Sequence, residues 1–287
     1  MRRRAILGGI VGSGVLALTM WGQNPFREYP SWEPHNMTLP KDYNIPAEWT
    51  FARLMYPTTH YQFDWQSEYR RGFDWREGFT NWTIDYPRSD RHLALALRRL
   101  TRLDVRSVEQ PINLERDDDV FNYPWLYAAE TGHWELTPPQ IAKFREFLLR
   151  GGFFMCDDFH GADEWQIFLE TMQKVFPDRP IVDLPDKDGI FHSVFDLDDR
   201  YQVPGAQFLR SRSACEKCAT SFPPAIGGDT AHWRGIYDDH GRVMVAICHN
   251  MDLGDSWEHA DDPMYPERFS ALGMRIGIDY VVYSMTH

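Results

Sequence analysis

The sequence predicts an α/β domain of three layers, in which a mostly parallel sheet lies between two layers of helices. Short apolar runs typical of buried strands alternate with amphipathic segments of helical spacing. The run Phe153–Cys156 is apolar throughout, as expected for a strand that is covered on both faces. Gly151 and Gly152 end the helix before it, and polar residues follow it from Asp157. In open α/β sheets this carboxyl edge is where ligands bind.

The composition favours one large domain with extensions and argues against a nucleic-acid-binding protein. The 287 residues carry a net charge of −12, whereas phosphate binding requires concentrated Lys and Arg. The 11 Trp, 13 Tyr and 18 Phe are many for this length. Aromatic residues fill cores, but they are also enriched in protein interfaces and at membrane boundaries.

The first 21 residues have the features of a membrane anchor. Three arginines at positions 2–4 precede an apolar segment, residues 5–21, which is long enough to span a bilayer as a helix. The arginines would hold the N-terminus in the cytoplasm and place the bulk of the chain in the periplasm. The start also resembles a twin-arginine export signal, but no clear small-residue cleavage site follows it. We expect a single uncleaved anchor in the inner (cytoplasmic) membrane, with a removed signal as the alternative.

Residues 22–50 are predicted to form an extended arm rather than a flexible tether. Closely spaced prolines prevent regular helix and sheet, and aromatic residues recur every few positions. We expect the arm to lie along a surface, either its own or that of a partner. The predicted partner-contacting residues are Trp21, Phe26, Tyr29 and Trp32.

Residues 51–287 are predicted to form the α/β domain. Short apolar runs between turn residues predict the strands, in chain order, at 50–56, 104–108, 121–129 and 153–156, followed by a hairpin of 235–237 and 242–248. Surface-packed loops are expected at 60–87, and a long irregular insertion at 203–234.

Apolar residues at helical spacing predict four helices in this domain, at 90–103, from Thr137 to 151, at 163–176 and at 266–284. In the second of these, Thr137 is the expected N-cap and Pro138 the first helical residue.

The four cysteines fall into two groups. Cys156 and Cys248 lie in apolar runs and are interpreted as core residues. Cys215 and Cys218 form a lone CxxC without the second pair or nearby histidines that a zinc site would need. We expect a local disulfide between them in an oxidising compartment, and a redox motif is the less favoured alternative.

Several sequence blocks resemble the DUF4159 family of uncharacterised bacterial proteins. They occur between about Phe51 and Met285 and are Phe51-Ala-Arg-Leu-Met-Tyr56, Tyr123-Pro-Trp-Leu-Tyr127, Gly151-Gly-Phe-Phe, Asp157-Asp-Phe-His-Gly161, Ile190-Phe-His-Ser193 and Asn250-Met-Asp-Leu-Gly254. The resemblance implies a fold similar to the class I glutamine amidotransferases, a flavodoxin-like arrangement, and implies no activity. Glutaminase chemistry needs a reactive cysteine, and Cys156 lies inside an apolar run where a thiol is inert.

Candidate site residues follow two of the predicted strands: Asp157, Asp158, His160, His249, Asp252 and Asp255. Carboxylates and imidazoles at one sheet edge can hold a divalent metal or act as acid and base. The competing interpretation is structural, with the aspartates accepting backbone N–H bonds in tight turns. The sequence favours the structural interpretation, because it contains no HExxH, GxSxG, P-loop or GxGxxG motif. No metal or cofactor is predicted.

The leading functional hypothesis is a non-catalytic, membrane-anchored periplasmic subunit that docks on and stabilises a larger membrane complex. A respiratory or photosynthetic assembly is a candidate host, and the expected partners are its proteins and the lipid bilayer around residues 5–21. One alternative is a periplasmic hydrolase or metal-dependent enzyme that uses the edge at Asp157, Asp158 and His160. The other is a carbohydrate or small-ligand binding domain, with Trp134 and Trp165 lining the cleft.

Overall fold

The computed structural model describes residues 25–31, 37–58, 74–116, 118–210 and 230–287. Within these ranges, no helix is both long enough and apolar enough to cross a membrane. Several predictions fall outside the described residues: the anchor at 5–21, Trp21, Trp32 and the proposed disulfide of Cys215 and Cys218.

The described strands form one seven-stranded sheet that is mostly parallel. In chain order they are β1 (Ala52–Leu54), β2 (Gln110–Ile112), β3 (Trp125–Ala128), β4 (Phe153–Cys156), β5 (Val182–Asp183), β6 (His232–Tyr237) and β7 (Val243–His249). The order across the sheet is β2-β1-β3-β4-β7-β6-β5. The first five of these strands run parallel, and β6 and β5 add an antiparallel edge. The central strands β3, β4 and β7 are fully buried, which explains their continuous apolar sequences.

Helices connect the strands and cover both faces of the sheet. They are α1 (Arg88–Leu100), α2 (Pro138–Leu149), α3 (Gly161–Val175), α4 (Ala206–Arg210), α5 (Leu253–Glu258) and α6 (Glu267–Thr286). Short 3₁₀ helices lie at Trp75–Glu77, Asn81–Thr83, Asp119–Asn122, Thr131–His133 and Gly189–Phe191.

Two apolar cores, one on each face of the sheet, show the predicted three layers. On one face, Phe153 and Met155 of β4 pack with α1, α5 and α6. On the other, Phe154 and Cys156 pack with α2 and α3. Successive side chains of a strand point to opposite faces, so an all-apolar β4 serves both cores. Full burial of each such side chain contributes about 1.5–3 kcal/mol.

The elements with the clearest local signals are found where the sequence placed them. The strand predicted at Phe153–Cys156 has those bounds in the structure. Helix α2 begins after Thr137, its N-cap, with Pro138 at the first position. The Gln140 side chain accepts a hydrogen bond from the Thr137 backbone N–H at 2.9 Å, as in a capping box. The hairpin is also confirmed and is formed by β6 and β7.

Two element predictions are wrong. In the predicted strand 104–108 only Val105 forms a bridge, with Trp49, and the strand β2 follows it. Because β2 is at the sheet edge, it tolerates Pro111, which lacks a backbone N–H for the ladder. The predicted insertion at 203–234 is not wholly irregular, because it contains α4 and the start of β6.

The segment 60–87, predicted as surface-packed loops, contributes Trp82 to a core. Residues 59–73 are outside the described chain, but Trp82 is fully buried in the core that α2 and α3 cover. Its indole N–H donates to the Trp75 carbonyl at 2.7 Å, so the side chain is buried without an unsatisfied donor.

The described part of the arm lies along the domain of its own chain. The Tyr29 ring packs edge-on against Trp82 at 5.4 Å, and the Tyr29 backbone N–H donates to the Tyr86 hydroxyl at 3.1 Å. The Phe26 ring packs against Tyr43 at 5.7 Å. The sequence left open whether the arm lies on its own chain or on a partner. Phe26 and Tyr29 contact residues of their own chain.

Candidate functional site

Asp157, the residue directly after β4, has a structural role at the carboxyl edge of the sheet. One of its carboxylate oxygens accepts a hydrogen bond from the Tyr127 hydroxyl at 2.6 Å. The other accepts from the backbone N–H groups of Leu253 at 2.6 Å and Gly254 at 2.9 Å. Burial raises the pKa of Asp157 to about 6, and these hydrogen bonds oppose that rise. Asp157 therefore fixes the N-terminus of α5 to the central strands.

Asp158 turns the chain away from the sheet. Its φ of 51° is in the left-handed region, which is uncommon for a residue with a side chain. Its backbone N–H donates to the Met251 carbonyl at 2.8 Å, and its carboxylate lies 3.3 Å from Nε2 of His160. Burial, followed by the nearby carboxylates of Glu130 and Asp157, raises the pKa of Asp158 well above its ordinary value.

Asp252 is the N-cap of α5. Its carboxylate accepts a hydrogen bond from the Asp255 backbone N–H at 2.8 Å, and its own N–H donates to the Val203 carbonyl at 2.9 Å. It is buried, and burial together with the carboxylates of Asp158 and Asp255 raises its pKa well above the ordinary range. Asp252 thus accepts a backbone N–H bond, as the structural interpretation expects, and its pKa also responds to the carboxylates of Asp158 and Asp255.

Three buried aspartates converge at this edge: Asp85, Asp158 and Asp252, here called the carboxylate triad. One carboxylate oxygen from each lies within 4.8 Å of the other two. Gly254 makes room for the group, because a Cβ there would clash with the Asp85 carboxylate and lie 2.9 Å from the Tyr127 hydroxyl. Carboxylate oxygens are the preferred ligands of Mg²⁺, Mn²⁺ and Ca²⁺, so the triad could hold a divalent cation.

Sequence reasoning missed Asp85 because no strand precedes it. It lies between the 3₁₀ helix at Asn81–Thr83 and α1, with a φ of 57°. Arg53 of β1 fixes this segment, since its guanidinium donates to the carbonyls of Trp82 and Ile84, both at 3.1 Å. Only the tertiary structure brings the segment to the sheet edge, and no local motif marks it.

A second group of ligand-type side chains lies on α5 and just after it. One ligand atom from each of Asp255, Glu258 and His259 lies within 4.8 Å of the others. Nε2 of His259 is 3.3 Å from the Glu258 carboxylate and 3.6 Å from that of Asp255. The spacing Asp-x-x-Glu-His places the three on one face of a helical turn, a signal that was available in the sequence.

The two predicted histidines are not placed alike. His160 contacts Asp158, and burial lowers its pKa to about 4, so the imidazole is neutral at pH 7. His249 donates from Nε2 to the Gly161 carbonyl at 3.0 Å and stacks on His232 at 5.4 Å. Burial lowers its pKa to about 4 as well. Among the described residues, the two groups of ligand-type side chains include neither His160 nor His249.

The predicted aromatic cleft of Trp134 and Trp165 is not present, because Trp134 is only 1% exposed. Its ring stacks on Phe154 and Phe168 inside a core, where it cannot wall a cleft. A different aromatic residue, Trp233, lines a groove of about 360 Å³. The other lining residues are Asp186, Asp198, Arg200, Gln202, Thr230 and Ala231.

Cys156 and Cys248 are fully buried core residues, as predicted. Burial raises the pKa of both thiols well above the ordinary value of a cysteine. The Cys156 thiol donates a weak hydrogen bond to the Ala246 carbonyl at 3.8 Å. A thiol that stays protonated is a poor nucleophile, so its environment provides none of the activation that glutaminase chemistry needs.

Comparison with known proteins identifies a family but no activity. The model of a family described as "Domain of unknown function (DUF4159)" matches residues 76–285. No curated protein matches the chain.

Proposed function

Because the chain belongs to the DUF4159 family, whose domain has no known function, we propose its role from the sequence and the site. The role is that of a non-catalytic accessory subunit, anchored in the inner membrane through residues 5–21, with its α/β domain in the periplasm. There it docks on and stabilises a larger membrane protein complex. A respiratory or photosynthetic assembly is a candidate host.

The observation that carries this proposal is the attachment of the arm to the domain. Besides the contacts of Tyr29, Glu28 forms an ion pair with Arg91, whose guanidinium also binds the buried Glu109 at 2.9 Å. Arg27 forms an ion pair with Glu77. An arm fixed in this way holds the domain close to the end of the predicted anchor. Such an arrangement suits a subunit with one fixed place in an assembly better than an enzyme on a free tether.

The predicted catalytic edge also supports a structural role. Asp157 and Asp252 both accept backbone N–H bonds at the start of α5, and His249 donates to a backbone carbonyl. These contacts are the ones expected if the polar residues serve to position backbone rather than substrate.

Sizing of the native particle tests this proposal. Native membranes are solubilised in mild detergent, and the proteins that migrate with the chain are identified by mass spectrometry. We expect a particle much larger than 33.7 kDa and of constant composition. The control is the same chain expressed in a host without its native partners, where the large particle should be absent. A lone monomer or homodimer in native membranes would contradict the proposal.

We also propose that the domain has the arrangement of the class I glutamine amidotransferases. The order β2-β1-β3-β4-β7 of the parallel strands supports it, because flavodoxin-like folds have the strand order 2-1-3-4-5. The reversal of strand order then lies between β1 and β3, whereas Asp158 follows β4 and Asp252 follows β7.

The second candidate function, a divalent-cation-dependent enzyme such as a periplasmic hydrolase, is favoured by the carboxylate triad alone. Three buried carboxylates within 4.8 Å repel one another unless protons or a cation neutralise them. A bound cation would reverse the rise in the pKa values of Asp158 and Asp252 and make the site able to activate water.

Cation binding can be measured on the purified, metal-free chain by calorimetry with Mg²⁺, Mn²⁺ and Ca²⁺ in turn. A bound cation should raise the melting temperature. At a free cation concentration of 100 times the dissociation constant, it adds about 2.7 kcal/mol to the free energy of unfolding. Asp85→Asn should remove this response, whereas Asp239→Asn, at a carboxylate that is 79% exposed in a turn, should retain it. If none of the three ions binds, protons neutralise the triad, and the divalent-cation-dependent enzyme is excluded.

A further inference from the structure

The amino edge of the sheet carries exposed apolar side chains beside cationic ones. This surface, here called the amino-edge surface, consists of residues 37–48 of the arm and 95–104 at the end of α1. The two segments are joined by an ion pair between Asp42 and Arg98 at 2.8 Å. Its exposed apolar side chains, with their exposed fractions, are Leu39 (39%), Ile45 (60%), Leu95 (42%) and Leu100 (59%).

The charge of this surface differs in sign from that of the chain. The two segments carry four cations against three carboxylates, whereas the chain has 30 Lys and Arg against 42 Asp and Glu. Within the described part of the chain, no ion pair engages Arg99 or Arg102, and both are exposed. The cations are Lys41, Arg98, Arg99 and Arg102, and the carboxylates are Asp42, Glu48 and Asp104.

The length of the chain places this surface near the membrane if residues 5–21 are the anchor. The Phe26 ring contacts Tyr43 and lies 5.7 Å from the guanidinium carbon of Arg106, which flanks the surface. Phe26 is five positions after Trp21, and a fully extended chain of that length spans at most about 18 Å. The amino-edge surface therefore stays close to the bilayer if residues 5–21 span it.

We propose that the amino-edge surface docks on the phospholipid headgroups of the membrane that holds the anchor. This inference rests on the proposed anchor and adds the orientation of the domain. Arginine forks bind phosphate, and leucine and isoleucine side chains enter the interfacial layer, a combination typical of protein segments that lie on membranes. The carboxyl edge with its acidic triad then faces away from the bilayer, toward the periplasm or a partner protein.

The test measures how deeply a spin label lies in the membrane. The full chain carrying Leu100→Cys is labelled and reconstituted into vesicles of phosphatidylcholine with phosphatidylglycerol. We expect the label to be more accessible to oxygen than to a water-soluble nickel chelate.

The matched control is Met264→Cys, which is 77% exposed in the loop where Asp261 pairs with Arg88 at the opposite end of α1. That end is about 20 Å away, because α1 has 13 residues. The unsubstituted labelled chain serves as the blank for native cysteines.

The charge-reversed chain carries Arg98→Glu, Arg99→Glu and Arg102→Glu. In this chain, the label at Leu100→Cys should become as accessible to nickel as the label at the Met264→Cys control. Raising NaCl to 1 M should weaken the contact, because the screening length falls to about 3 Å. Equal nickel accessibility of both labels in unaltered, membrane-inserted chains would overturn the inference. Shielding of Leu100→Cys in native membranes but not in vesicles would also overturn it, since a protein would then cover the surface. If alkaline carbonate releases the chain from vesicles, the proposed anchor itself fails, which is a separate result.

Discussion

Asp157 shows how one buried carboxylate can join several elements at a sheet edge. Its carboxylate joins Tyr127 of β3 to two backbone N–H groups at the start of α5. A buried carboxylate is costly unless hydrogen bonds compensate it, and here three donors do so. The polar residue that the sequence marks as a candidate for catalysis therefore works as a connector between elements.

The first prediction concerns the Tyr127 hydroxyl. Tyr127→Phe removes a donor at 2.6 Å from a buried carboxylate and should lower the free energy of unfolding by about 1.5–3 kcal/mol at pH 7.5. At pH 5 the loss should be smaller, because Asp157, with a pKa of about 6, is then mostly protonated. Chemical denaturation at the two pH values measures the difference.

Tyr265→Phe is the matched control for this prediction. The Tyr265 hydroxyl is also buried, but it donates to the neutral carbonyl of Pro204 at 2.8 Å. Its loss should be similar at the two pH values. Equal losses at pH 5 and pH 7.5 for Tyr127→Phe would show that the charge of Asp157 does not contribute.

At the scale of elements, Arg53 is the residue that joins β1 to α1. Its guanidinium binds the Asp90 carboxylate from Nε at 2.9 Å and the Ser89 hydroxyl at 3.0 Å, with the Arg53 and Asp90 side chains fully buried. It also donates to two backbone carbonyls of the segment before α1. All five of its donors are oriented by one planar group, which explains why arginine rather than lysine suits this position.

The second prediction is that Arg53→Met lowers the free energy of unfolding by about 3–5 kcal/mol, because it leaves a buried carboxylate at Asp90 without its partner. The double variant Arg53→Met with Asp90→Leu should recover part of that loss. Thermal or denaturant unfolding of the variants provides the measurement.

The comparison for this prediction is Arg150→Met, which breaks an ion pair with Glu146 whose side chains are 60% and 49% exposed. Such exposed pairs contribute about 0–1 kcal/mol, so this variant should remain close to the unaltered chain. A loss for Arg53→Met as small as that for Arg150→Met would contradict the role given to Arg53.

The limits of sequence analysis are also clearest for the elements. The strand β4 is found within its predicted bounds, because an apolar run between a glycine turn and two aspartates leaves few alternatives. The strand β2 was missed because its Pro111 argues against a strand unless the strand is known to lie at an edge. Edge position is a property of the whole sheet and is not encoded in three residues.

At the scale of the whole molecule, the dominant electrostatic feature is the number of buried titratable groups. Burial raises the pKa of Asp157 to about 6 and that of Asp158 and Asp252 well above the ordinary value. Burial lowers the pKa of His160 and His249 to about 4. Both kinds of group are therefore more stable in the neutral form, and stability must depend on pH.

The third prediction is that stability declines as the pH rises from about 4.5 to about 6, because three aspartates with raised pKa values outweigh two histidines with lowered ones in this window. The aspartates with raised pKa values favour the folded state below about 3.8, and this contribution is lost as the pH rises through their folded values. The two histidines contribute above about 6.5 and lose this contribution as the pH falls toward 4. Between these limits each aspartate lowers the stability and each histidine raises it as the pH increases, so the melting temperature should decline from about pH 4.5 to pH 6.

Thermal melts from pH 4 to pH 8 in one ionic strength check this curve. Asp158→Asn, which is neutral at every pH, should flatten the decline between pH 4.5 and pH 6. The control Asp178→Asn, at a carboxylate that is 53% exposed and paired with Arg145, should leave the decline in place. A melting temperature that rises steadily from pH 4.5 to pH 6 would contradict the assignment.

The sequence by itself determined the α/β class, the position of the strand β4 and of the helix after Thr137, the family resemblance and the buried state of Cys156 and Cys248. These features depend on local chemistry, such as apolar periodicity, capping residues and glycine turns, which neighbouring residues specify together. The predicted anchor and the CxxC pair also come from the sequence, and they remain predictions.

Only the tertiary structure decided which polar residues meet. Asp85 and Asp252 are 167 positions apart, and no local pattern relates them, yet their carboxylates lie within 4.8 Å in the same buried group. In the same way, burial of Trp134 removed it from a predicted cleft, and the fold placed residues 37–48 beside the end of α1. The physical reason is that long-range contacts follow from how the layers pack, and packing depends on the whole set of buried side chains rather than on any one segment.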